Sequence, residues 1–251
     1  MNRADYMDYF VSFSGGKDST AMLLRLVEEG WPITEIIFSD TGMEYPQTYA
    51  HIDKVEQYIG RPIVRLQPTH SFEEIMFDHV YTRGPNKGLR GKGWPTFKIR
   101  WCTGFFKETT INSYLKKYLS RYKHRVQYIG FSTDEIKRSQ RGAARGDRRY
   151  PLIGWDMSGD DALTYCRDRG FHWDGLYDYF DRVSCWCCPL QSTHSLRILW
   201  RFFPELWARL KEMDSRARNR FKPDATVAEL EERFLRERLE LQEKGGVKWD
   251  S

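Results

Sequence analysis

The residues best suited to chemistry lie in the segment Ser14–Ser19, SGGKDS, between an apolar β-prone run and a helical pattern. Its two glycines allow backbone N–H groups to turn toward an anion, and a helix N-terminus adds positive potential. Lys17 supplies a point charge, and the hydroxyls of Ser14 and Ser19 can donate to phosphate oxygens. The spacing does not fit the pattern GxxxxGK[ST]. Taken alone, these residues fit either a phosphate-binding loop or an ordinary strand-to-helix turn.

Cysteines form the second candidate group, because three of the five are crowded at Cys185, Cys187 and Cys188. In a cytoplasmic protein such crowding favours a metal site or a reactive thiol over a disulfide framework. Cys185 and Cys188 form a C-x-x-C pair, which supplies two ligands to zinc or to an iron–sulfur cluster but completes neither site. Thiolate spacing does not distinguish iron from zinc. Cys166 lies in a predicted helix at packing spacing, so we expect a buried hydrophobic role for it.

Two basic segments, residues 80–107 and 137–149, are predicted to be mobile loops. The first contains seven basic residues and no acidic one, and the second contains six basic residues. Basic side chains neutralise phosphates while aromatic faces stack on bases, so segment 80–107 suits a single-stranded or flipped nucleotide. The same segment could equally close over ATP or remain a solvated loop. The aromatic residues between its basic residues are Tyr81, Trp94, Phe97 and Trp101.

Alternating β-prone and helical segments must position these residues. This alternation predicts an α/β fold with a parallel sheet sandwiched by helices. Ligands bind such sheets at the carboxyl ends of strands, so the segments at Ser14, Asp40 and Ser132 should converge. Predicted strands are 9–13, 35–39, 63–66 and 125–131, and predicted helices are 19–29, 47–59, 107–119 and 160–169.

The chain of 251 residues is long enough for one large domain with an added tail. We predict a domain over residues 1–203, with a cysteine-rich segment at 184–192, and a helical C-terminal extension over 204–251. Within that extension, 205–220 and 227–244 have helical amphipathic periodicity. Apolar runs are far shorter than the roughly 20 residues of a membrane span, and the first residues lack a signal-peptide pattern. A soluble, cytoplasmic protein with no membrane partner is expected.

The hexapeptide SGGKDS after a strand resembles the PP-loop of the ATP pyrophosphatases, an adenine nucleotide alpha hydrolase-like superfamily. Its members cleave ATP between the α and β phosphates, adenylate a substrate and release pyrophosphate. Asp40-Thr41-Gly42, with Glu44 and Thr48, resembles the second motif of the phosphoadenosine phosphosulfate (PAPS) reductase branch. The resemblance covers about residues 9–210. Further similar segments are 130–138, 150–155 (YPLIGW) and 185–191 (CWCCPLQ).

This resemblance implies an ATP site with Asp18 and Asp40 near the triphosphate and Mg²⁺ bridging phosphate oxygens. The alternative to a magnesium-binding role is that the aspartate carboxylate only accepts hydrogen bonds from backbone N–H groups. Lys107 and Arg138 are candidates for binding phosphate or sulfate. The alternative is that both are solvated charges on loops. The implied nucleotide-binding residues are Ser14, Gly15, Gly16, Lys17, Ser19, Asp40, Thr41 and Gly130, and the implied catalytic residues are Lys17, Asp18, Asp40, Lys107 and Arg138.

In the PAPS reductase family a cysteine at the position of Cys102 joins a downstream C-x-x-C-P pair in one site. The resemblance therefore implies Cys102, Cys185 and Cys188 as metal ligands. Three thiolates around a [4Fe–4S] cluster would leave one iron open for sulfide or a substrate sulfur. Related reductases use a Cys-Cys pair at the first position, where this chain has Trp101-Cys102. A structural zinc with one further ligand is the main alternative.

An ATP-dependent sulfurtransferase acting on a nucleic-acid or nucleotide-like acceptor is the leading functional hypothesis. The sulfonucleotide reductases that it resembles use a nucleophilic cysteine near the C-terminus, whereas residues 189–251 contain no cysteine. A sulfonucleotide reductase or sulfurylase-like enzyme is the second hypothesis. A non-catalytic nucleotide-sensing subunit of a complex is the third. ATP, a sulfur donor and a partner protein are the other expected partners.

Overall fold

The computed structural model describes residues 7–118, 124–142 and 147–243. Three features predicted from the sequence fall outside these ranges. They are the end of the third helix at Leu119, the basic residue Arg145 and the end of the last helix at Lys244.

A parallel sheet of five strands, in the order β3-β2-β1-β4-β5, is formed within the described residues. The predicted α/β class is therefore confirmed, and β2 and β3 have the predicted bounds. The order reverses at β1, because β2 and β4 flank it on opposite sides. Crevices for ligands form at such a reversal, outside the carboxyl ends of the strands. The strands are β1 (Met7–Phe13), β2 (Glu35–Ser39), β3 (Ile63–Leu66), β4 (His124–Ile129) and β5 (Arg148–Arg149).

Helices cover both faces of the sheet. Phe38 of β2 packs edge-on against Tyr49 of the second helix, with ring centroids 6.3 Å apart. On the other face, Leu115 of the third helix packs with Phe10 and Ile37. Because successive strand residues point to opposite faces, Ile37 and Phe38 mark the two layers. The helices are α1 (Lys17–Glu28), α2 (Pro46–Ile59), α3 (Thr110–Tyr118), α4 (Ile136–Gly142), α5 (Pro151–Gly154), α6 (Gly159–Arg167), α7 (Leu176–Tyr179), α8 (Thr193–Phe202), α9 (Pro204–Arg216) and α10 (Val227–Glu243).

The predicted helix at 107–119 begins earlier and is not uniform. A π-helical segment, Thr103–Thr109, precedes α3. Phe106 within it is buried, and its carbonyl accepts a hydrogen bond from the hydroxyl of Ser39 at the end of β2. This bond fixes the segment against the carboxyl end of the sheet.

The basic segment 137–149 is more ordered than predicted. Its first part belongs to α4, where the hydroxyl of Ser139 donates to the carbonyl of Ile136 at 2.8 Å. Its last two residues form β5, which pairs with Gln127 and Tyr128 of β4. In the described residues of this segment, a helix at one end and a paired strand at the other therefore replace the predicted loop.

Two compact units make up the chain, and their division differs from the predicted boundary at 203/204. The second unit takes in residues 70–101 and α8 as well as the C-terminal helices. Trp94 explains part of this grouping, because its ring N–H donates to Asp214 at 2.8 Å and its backbone N–H donates to Asn219 at 2.7 Å. The first unit is Met1–Thr69 with Cys102–Cys185, and the second is His70–Trp101 with Trp186–Ser251.

Aromatic side chains of segment 80–107 form much of the core of the second unit. Trp94 is 1% exposed and Trp101 is 7% exposed. Trp94 packs edge-on against Phe221 at 5.0 Å, and Trp101 packs against Phe72 at 4.9 Å, measured between ring centroids. The interpretation of both tryptophans as base-stacking residues is therefore wrong, because burial removes their faces from solvent.

Over the described ranges, every helix is too short or too polar to cross a membrane.

Candidate functional site

The segment Ser14–Ser19 joins β1 to α1, with a tight turn at residues 14–16 and the first residues of α1 at Lys17–Ser19. It is here called the phosphate turn, after its predicted ligand. Gly15 has a φ of +75°, in the left-handed region that favours glycine. A Cβ atom there would also lie 3.0 Å from Thr48 and 3.1 Å from Ile52 of α2. Backbone conformation and the close approach of α2 both require glycine at this position.

Hydrogen bonds inside this turn hold its two serines together. The Ser14 N–H donates to the Ser19 hydroxyl at 3.2 Å, and the two hydroxyls lie 3.0 Å apart. The Ser19 hydroxyl also donates to the Gly16 carbonyl at 3.0 Å. These bonds fix the positions of both serine hydroxyls at the end of β1.

Lys17 lies with its side chain 11% exposed inside the first unit. Its Nζ donates to Asp18 Oδ1 at 2.9 Å and to the carbonyl of Gly159 at 2.7 Å. Burial raises the pKa of Asp18 above its ordinary value, and the neighbouring ammonium of Lys17 opposes that rise. The ammonium is thus held in a fixed position at the start of α1.

The loop after β4 approaches the same turn. Gly130 leaves so little room that an added Cβ would lie 2.9 Å from Ser19 Cα and 3.0 Å from the Asp18 carbonyl oxygen. Further along this loop, Asp134 Oδ2 accepts the N–H of Gly159 at 2.7 Å. The loop therefore connects the phosphate turn to the first residue of α6. The predicted convergence of the segments after β1 and β4 is observed.

The phosphate turn is supported from behind by residues more than 150 positions away. The ring N–H of Trp173 donates to the carbonyl of Gly15 at 2.7 Å, and the Lys17 N–H donates to the Tyr177 hydroxyl at 2.8 Å. Trp173 and Asp174 have φ values of 49° and 47°, unusual for residues other than glycine. Such backbone persists only where the surroundings determine it. Burial of the Trp173 ring and its hydrogen bond to Gly15 hold the backbone in this conformation.

Removing the Tyr177 hydroxyl should weaken this support. Tyr177→Phe leaves the buried N–H of Lys17 without its acceptor, which costs about 1–3 kcal/mol of unfolding free energy. Urea unfolding of the two proteins measures the loss. Tyr58→Phe is the matched control, because Tyr58 is 55% exposed, and should leave stability within about 0.5 kcal/mol. Equal stabilities for Tyr177→Phe and the unsubstituted protein would contradict this role of the hydroxyl.

His51 packs behind the turn as well. It is 1% exposed, its ring stacks on Trp173 at 4.1 Å, and its Nε2 lies 2.9 Å from the Thr20 hydroxyl. Burial lowers the pKa of His51 to about 3. The neutral imidazole is therefore a packing group, while His70 is exposed.

Acid should destabilise the fold through His51. Its folded pKa of about 3 lies below the ordinary value of 6.5. Below pH 6.5 the unfolded state binds a proton that the folded state does not, so unfolding free energy falls by about 1.4 kcal/mol per pH unit until near pH 3. Unfolding free energy should be measured between pH 7 and 4. In His51→Gln it should fall less steeply with decreasing pH than in the unsubstituted protein, by the contribution of one proton. His70→Gln should keep the slope of the unsubstituted protein, and an unchanged slope in His51→Gln would refute the assignment.

Asp40 and Thr41 follow β2 in the adjoining loop. Asp40 Oδ1 accepts the Gly42 N–H at 2.8 Å and the Tyr49 hydroxyl at 2.7 Å. Burial, followed by the bond to Asp40, raises the pKa of Tyr49 well above its ordinary value. One oxygen of Asp40 therefore stabilises the loop. The Thr41 hydroxyl donates to Glu44 at 3.1 Å.

Cys185 lies beside this loop in the first unit. Its Sγ is 3.4 Å from Glu44 Oε1 and 3.6 Å from the Thr41 hydroxyl. Cys102 also belongs to the first unit, whereas Cys188 belongs to the second. Considering residues 7–118, 124–142 and 147–243, no group of three or more Cys, His, Asp or Glu side chains is arranged to hold a metal ion. The metal site of Cys102, Cys185 and Cys188 therefore stays a prediction.

Cys166 has the packing role that its spacing predicts. It is 0% exposed, and its thiol donates to the carbonyl of Lys17 at 3.6 Å. Burial raises the pKa of this thiol above its ordinary value. Cys166 thus supports the start of α1 as a neutral group.

A cavity of about 260 Å³ opens next to the phosphate turn in the first unit. Ser14 and Lys107 line it, together with Glu44, so two predicted site residues share one opening. Its walls combine apolar sheet residues with polar groups of β4 and α3. They include Phe10, Phe13, Ile37, Ser39, Asn112 and Gln127.

Arg138 is not among the residues that line this cavity. Its guanidinium pairs with Glu135 at 2.7 Å and lies 4.4 Å from the ring centroid of Phe131. The side chain is about half exposed. This arrangement orders Arg138 beside the loop after β4, and its predicted contact with phosphate or sulfate stays a prediction.

A parallel sheet whose reversal point carries a glycine-rich anion turn is typical of nucleotide-binding α/β proteins. Residues 8–191 match the phosphoadenosine phosphosulfate reductase domain, and the chain belongs to that family. The family predicted from the motifs is therefore confirmed.

Several relatives have similar sequences. An adenosine 5'-phosphosulfate reductase of Geobacillus sp. is 37% identical over 184 residues, which are 70% of this chain and 72% of that protein. An uncharacterized 37.8 kDa protein of Escherichia phage 186 is 44% identical over 250 residues, 81% of this chain and 73% of that protein. An uncharacterized protein of Methanocaldococcus jannaschii is 25% identical over 207 residues. The chain spans 39% and 45% of two such M. jannaschii proteins.

Solved structures with partial similarity include a PAPS reductase from Candida auris, with a TM-score of 0.49 and 16% identity over 72% of this chain and 83% of that chain. Another is the U34-tRNA thiolase NcsA from Methanococcus maripaludis, solved with its [4Fe–4S] cluster. Its TM-score is 0.43, with 15% identity over 84% of this chain and 72% of that chain.

Proposed function

We propose that this protein binds ATP, cleaves it between the α and β phosphates and adenylates an acceptor that then receives sulfur. The observation that carries the proposal is the Ser14–Ser19 turn with the buried ammonium of Lys17 beside it. A sulfonucleotide has no β,γ-pyrophosphate, so a turn built for several phosphate oxygens favours ATP over PAPS.

The reaction needs an acceptor oxygen, carbonyl or phosphoryl, that attacks the α-phosphorus. The bond to the bridging oxygen breaks, and pyrophosphate leaves with the charge that Lys17 and the N–H groups at the start of α1 stabilise. Sulfide then replaces the acceptor oxygen, which leaves on AMP. Overall, ATP, acceptor and sulfide give thiolated acceptor, AMP and pyrophosphate.

Magnesium would offset charge on the phosphates in this reaction. Asp18, at the start of α1, would contact it. Asp40 would do so with the oxygen that does not bind Gly42 and Tyr49. Lys107, at the cavity, would bind the phosphate or sulfate group nearest to it.

Sulfur handling is assigned to Cys102, Cys185 and Cys188. All three are partly exposed, and thiolate is the donor type that iron–sulfur clusters and zinc prefer. A [4Fe–4S] cluster with one open iron would supply a binding position for sulfide, whereas zinc would make the site structural. Thiolate ligands fit both an iron–sulfur cluster and zinc. We favour the cluster, because only the cluster would take part in sulfur transfer.

Metal analysis of anaerobically purified protein tests this assignment. We expect about four irons with matching acid-labile sulfide per chain, and a severalfold loss of both in Cys102→Ala, Cys185→Ala and Cys188→Ala. Cys166→Ala is the matched control and should keep the full content, because the Cys166 thiol is buried against α1. Stoichiometric zinc without sulfide would contradict the sulfur-transfer role of these cysteines.

Product analysis tests the reaction itself. The protein is incubated with Mg²⁺, ATP and sulfide, with and without a mixed pool of RNA and single-stranded DNA oligonucleotides. We expect AMP and pyrophosphate in equal amounts, increased by the pool, together with thiolated nucleotides after digestion. ATP binding without cleavage under all conditions would refute the proposal and favour a nucleotide-sensing subunit.

A sulfonucleotide reductase is the second candidate, because several relatives are adenosine 5'-phosphosulfate reductases. It predicts release of sulfite and an adenosine phosphate from adenosine 5'-phosphosulfate or PAPS in the presence of a thiol reductant. Residues 189–251 contain no cysteine, so in this reaction the attacking thiol would not come from that segment. Sulfite formation without ATP would favour this candidate over adenylation.

A further inference from the structure

Segment Trp94–Trp101 of the second unit, here called the Phe97 turn, is fixed at both ends. The ring N–H of Trp94 donates to Asp214, and that of Trp101 donates to the Gly93 carbonyl at 3.1 Å. Both rings are buried. The two tryptophans therefore anchor a short segment whose centre lies at the surface.

At the centre of this turn, apolar side chains point into solvent. Phe97 is 83% exposed, the largest value among the large hydrophobic residues that the structure describes, and Ile99 is 66% exposed. The backbone is closed, because the Thr96 N–H donates to the Ile99 carbonyl and the Ile99 N–H donates to the Thr96 hydroxyl, both at 3.1 Å. An ordered turn that exposes an aromatic ring indicates a binding role rather than incomplete folding.

Basic side chains without acidic partners adjoin Phe97 in the sequence. Lys98 and Arg100 flank Ile99 and lie within three positions of Phe97, in a stretch from Val80 to Lys107 that has no acidic residue. Arg218, two residues after the end of α9, lies 5.5 Å from the centroid of the Tyr81 ring. Within the described part of the chain, four basic side chains of segment 80–107, together with Arg218, form no ion pair. They are Arg83, Lys87, Lys98, Arg100 and Arg218.

We propose that the Phe97 turn binds single-stranded nucleic acid, with a base stacked on Phe97 and phosphates paired with Lys98 and Arg100. The chemistry of the surface supports this partner. An exposed aromatic face accepts any base, and the neighbouring cations Lys98 and Arg100 carry the charge that attracts backbone phosphates. A protein partner would need a larger apolar area, whereas this turn exposes two large apolar side chains, Phe97 and Ile99, beside two cations, Lys98 and Arg100.

This inference deepens the proposed function, because it names the acceptor class, but binding requires no ATP cleavage. Its test therefore omits ATP. If the protein binds oligonucleotides but does not cleave ATP in the product analysis, only the adenylation proposal is rejected. ATP cleavage without oligonucleotide binding at the Phe97 turn would reject this inference and favour a small-molecule acceptor.

Fluorescence anisotropy of the full chain with labelled 12-nucleotide single strands of RNA and DNA provides the measurement. We expect Phe97→Ala and Phe97→Leu to weaken binding about tenfold or more, and Phe97→Trp to retain it, because stacking needs an aromatic face. The thermal midpoint should not change, since the ring is in solvent. Equal affinities for all three variants and the unsubstituted chain would overturn the proposal.

Charge variants provide the matched control. The pair Lys98→Glu and Arg100→Glu should weaken binding at least tenfold and reduce the slope of log affinity against log salt by about one to two. The pair Arg236→Glu and Arg238→Glu makes the same change in net charge on exposed positions of α10 and should have little effect. Equal losses in both pairs would show non-specific attraction, and Phe97-dependent binding to anionic lipid vesicles but not to oligonucleotides would show a membrane surface. Either outcome rejects the nucleic-acid assignment.

Discussion

Lys17→Ala is expected to lower kcat/KM for pyrophosphate release from ATP by at least about 100-fold, because a fixed ammonium no longer stabilises the charge of the leaving group. The side chain is held by Asp18 and by the carbonyl of Gly159, so its position is set before nucleotide binds. Pre-organised charge of this kind contributes more to a transition state than a mobile lysine would. Initial rates over a range of ATP concentrations measure the effect.

Two further variants define the Lys17 result. Lys17→Arg keeps the charge but not the compact ammonium geometry, so we expect partial activity between the alanine variant and the unsubstituted protein. Lys116→Ala removes an exposed lysine of α3 and should leave the rate unchanged. ATP cleavage at full rate in Lys17→Ala would show that the phosphate turn does not serve this reaction.

Gly130→Ala should have the second-largest effect. Its new methyl group would lie 2.9 Å from Ser19 Cα and 3.0 Å from the Asp18 carbonyl oxygen, so the backbone of the phosphate turn or the loop after β4 must move. Overpacking of this type reduces unfolding free energy by about 1–3 kcal/mol. Displacement of the turn by about 1 Å can reduce the rate of ATP cleavage by about 100-fold. Urea unfolding and the same rate assay give the two quantities.

Gly154→Ala is the matched control for Gly130→Ala. An added Cβ at Gly154 in α5 meets no atom within 4 Å, and the residue has no positive φ. We therefore expect unchanged activity and a gain of up to about 1 kcal/mol in unfolding free energy. Similar losses in both variants would show that the close approach of Gly130 to Ser19 is not needed.

Local patterns were sufficient to predict the sheet and the glycine-containing backbone turn that follows β1. β2 and β3 are short apolar runs bounded by polar or turn residues, and their observed bounds equal the predicted ones. The turn was identifiable because glycine, lysine and serine occur at the junction of a strand and a helix. Alternation of strands and helices also predicted that segments after β1 and β4 meet, since carboxyl ends of parallel strands share one edge.

Residues that support the turn could not be predicted in the same way. Trp173 and Tyr177 contact Gly15 and Lys17 across more than 150 positions, and the bonds involve main-chain groups that leave no pattern in the sequence. Gly159 likewise contributes only its backbone to the contacts with Lys17 and Asp134. Such contacts depend on tertiary packing rather than local residue type.

Segment 80–107 shows how composition alone can mislead. Aromatic residues between basic ones suggested a uniform stacking surface, but Trp94 and Trp101 are buried and only Phe97 is largely in solvent. The basic residues make this surface positively charged. Burial of Trp94, in contrast, depends on the acceptors Asp214 and Asn219, which lie more than 110 positions later in the chain. The same distant contacts explain why residues 70–101 join the C-terminal helices in one unit.

Calorimetric binding of ATP, AMP and adenosine 5'-phosphosulfate in the presence of Mg²⁺ tests the central claim most directly, because it needs no acceptor. If the Ser14–Ser19 turn holds the β,γ-pyrophosphate, ATP should bind about tenfold or more tightly than AMP or the sulfonucleotide. Lys17→Ala should remove most of that preference. AMP or adenosine 5'-phosphosulfate binding as tightly as ATP to the unsubstituted protein would contradict the account.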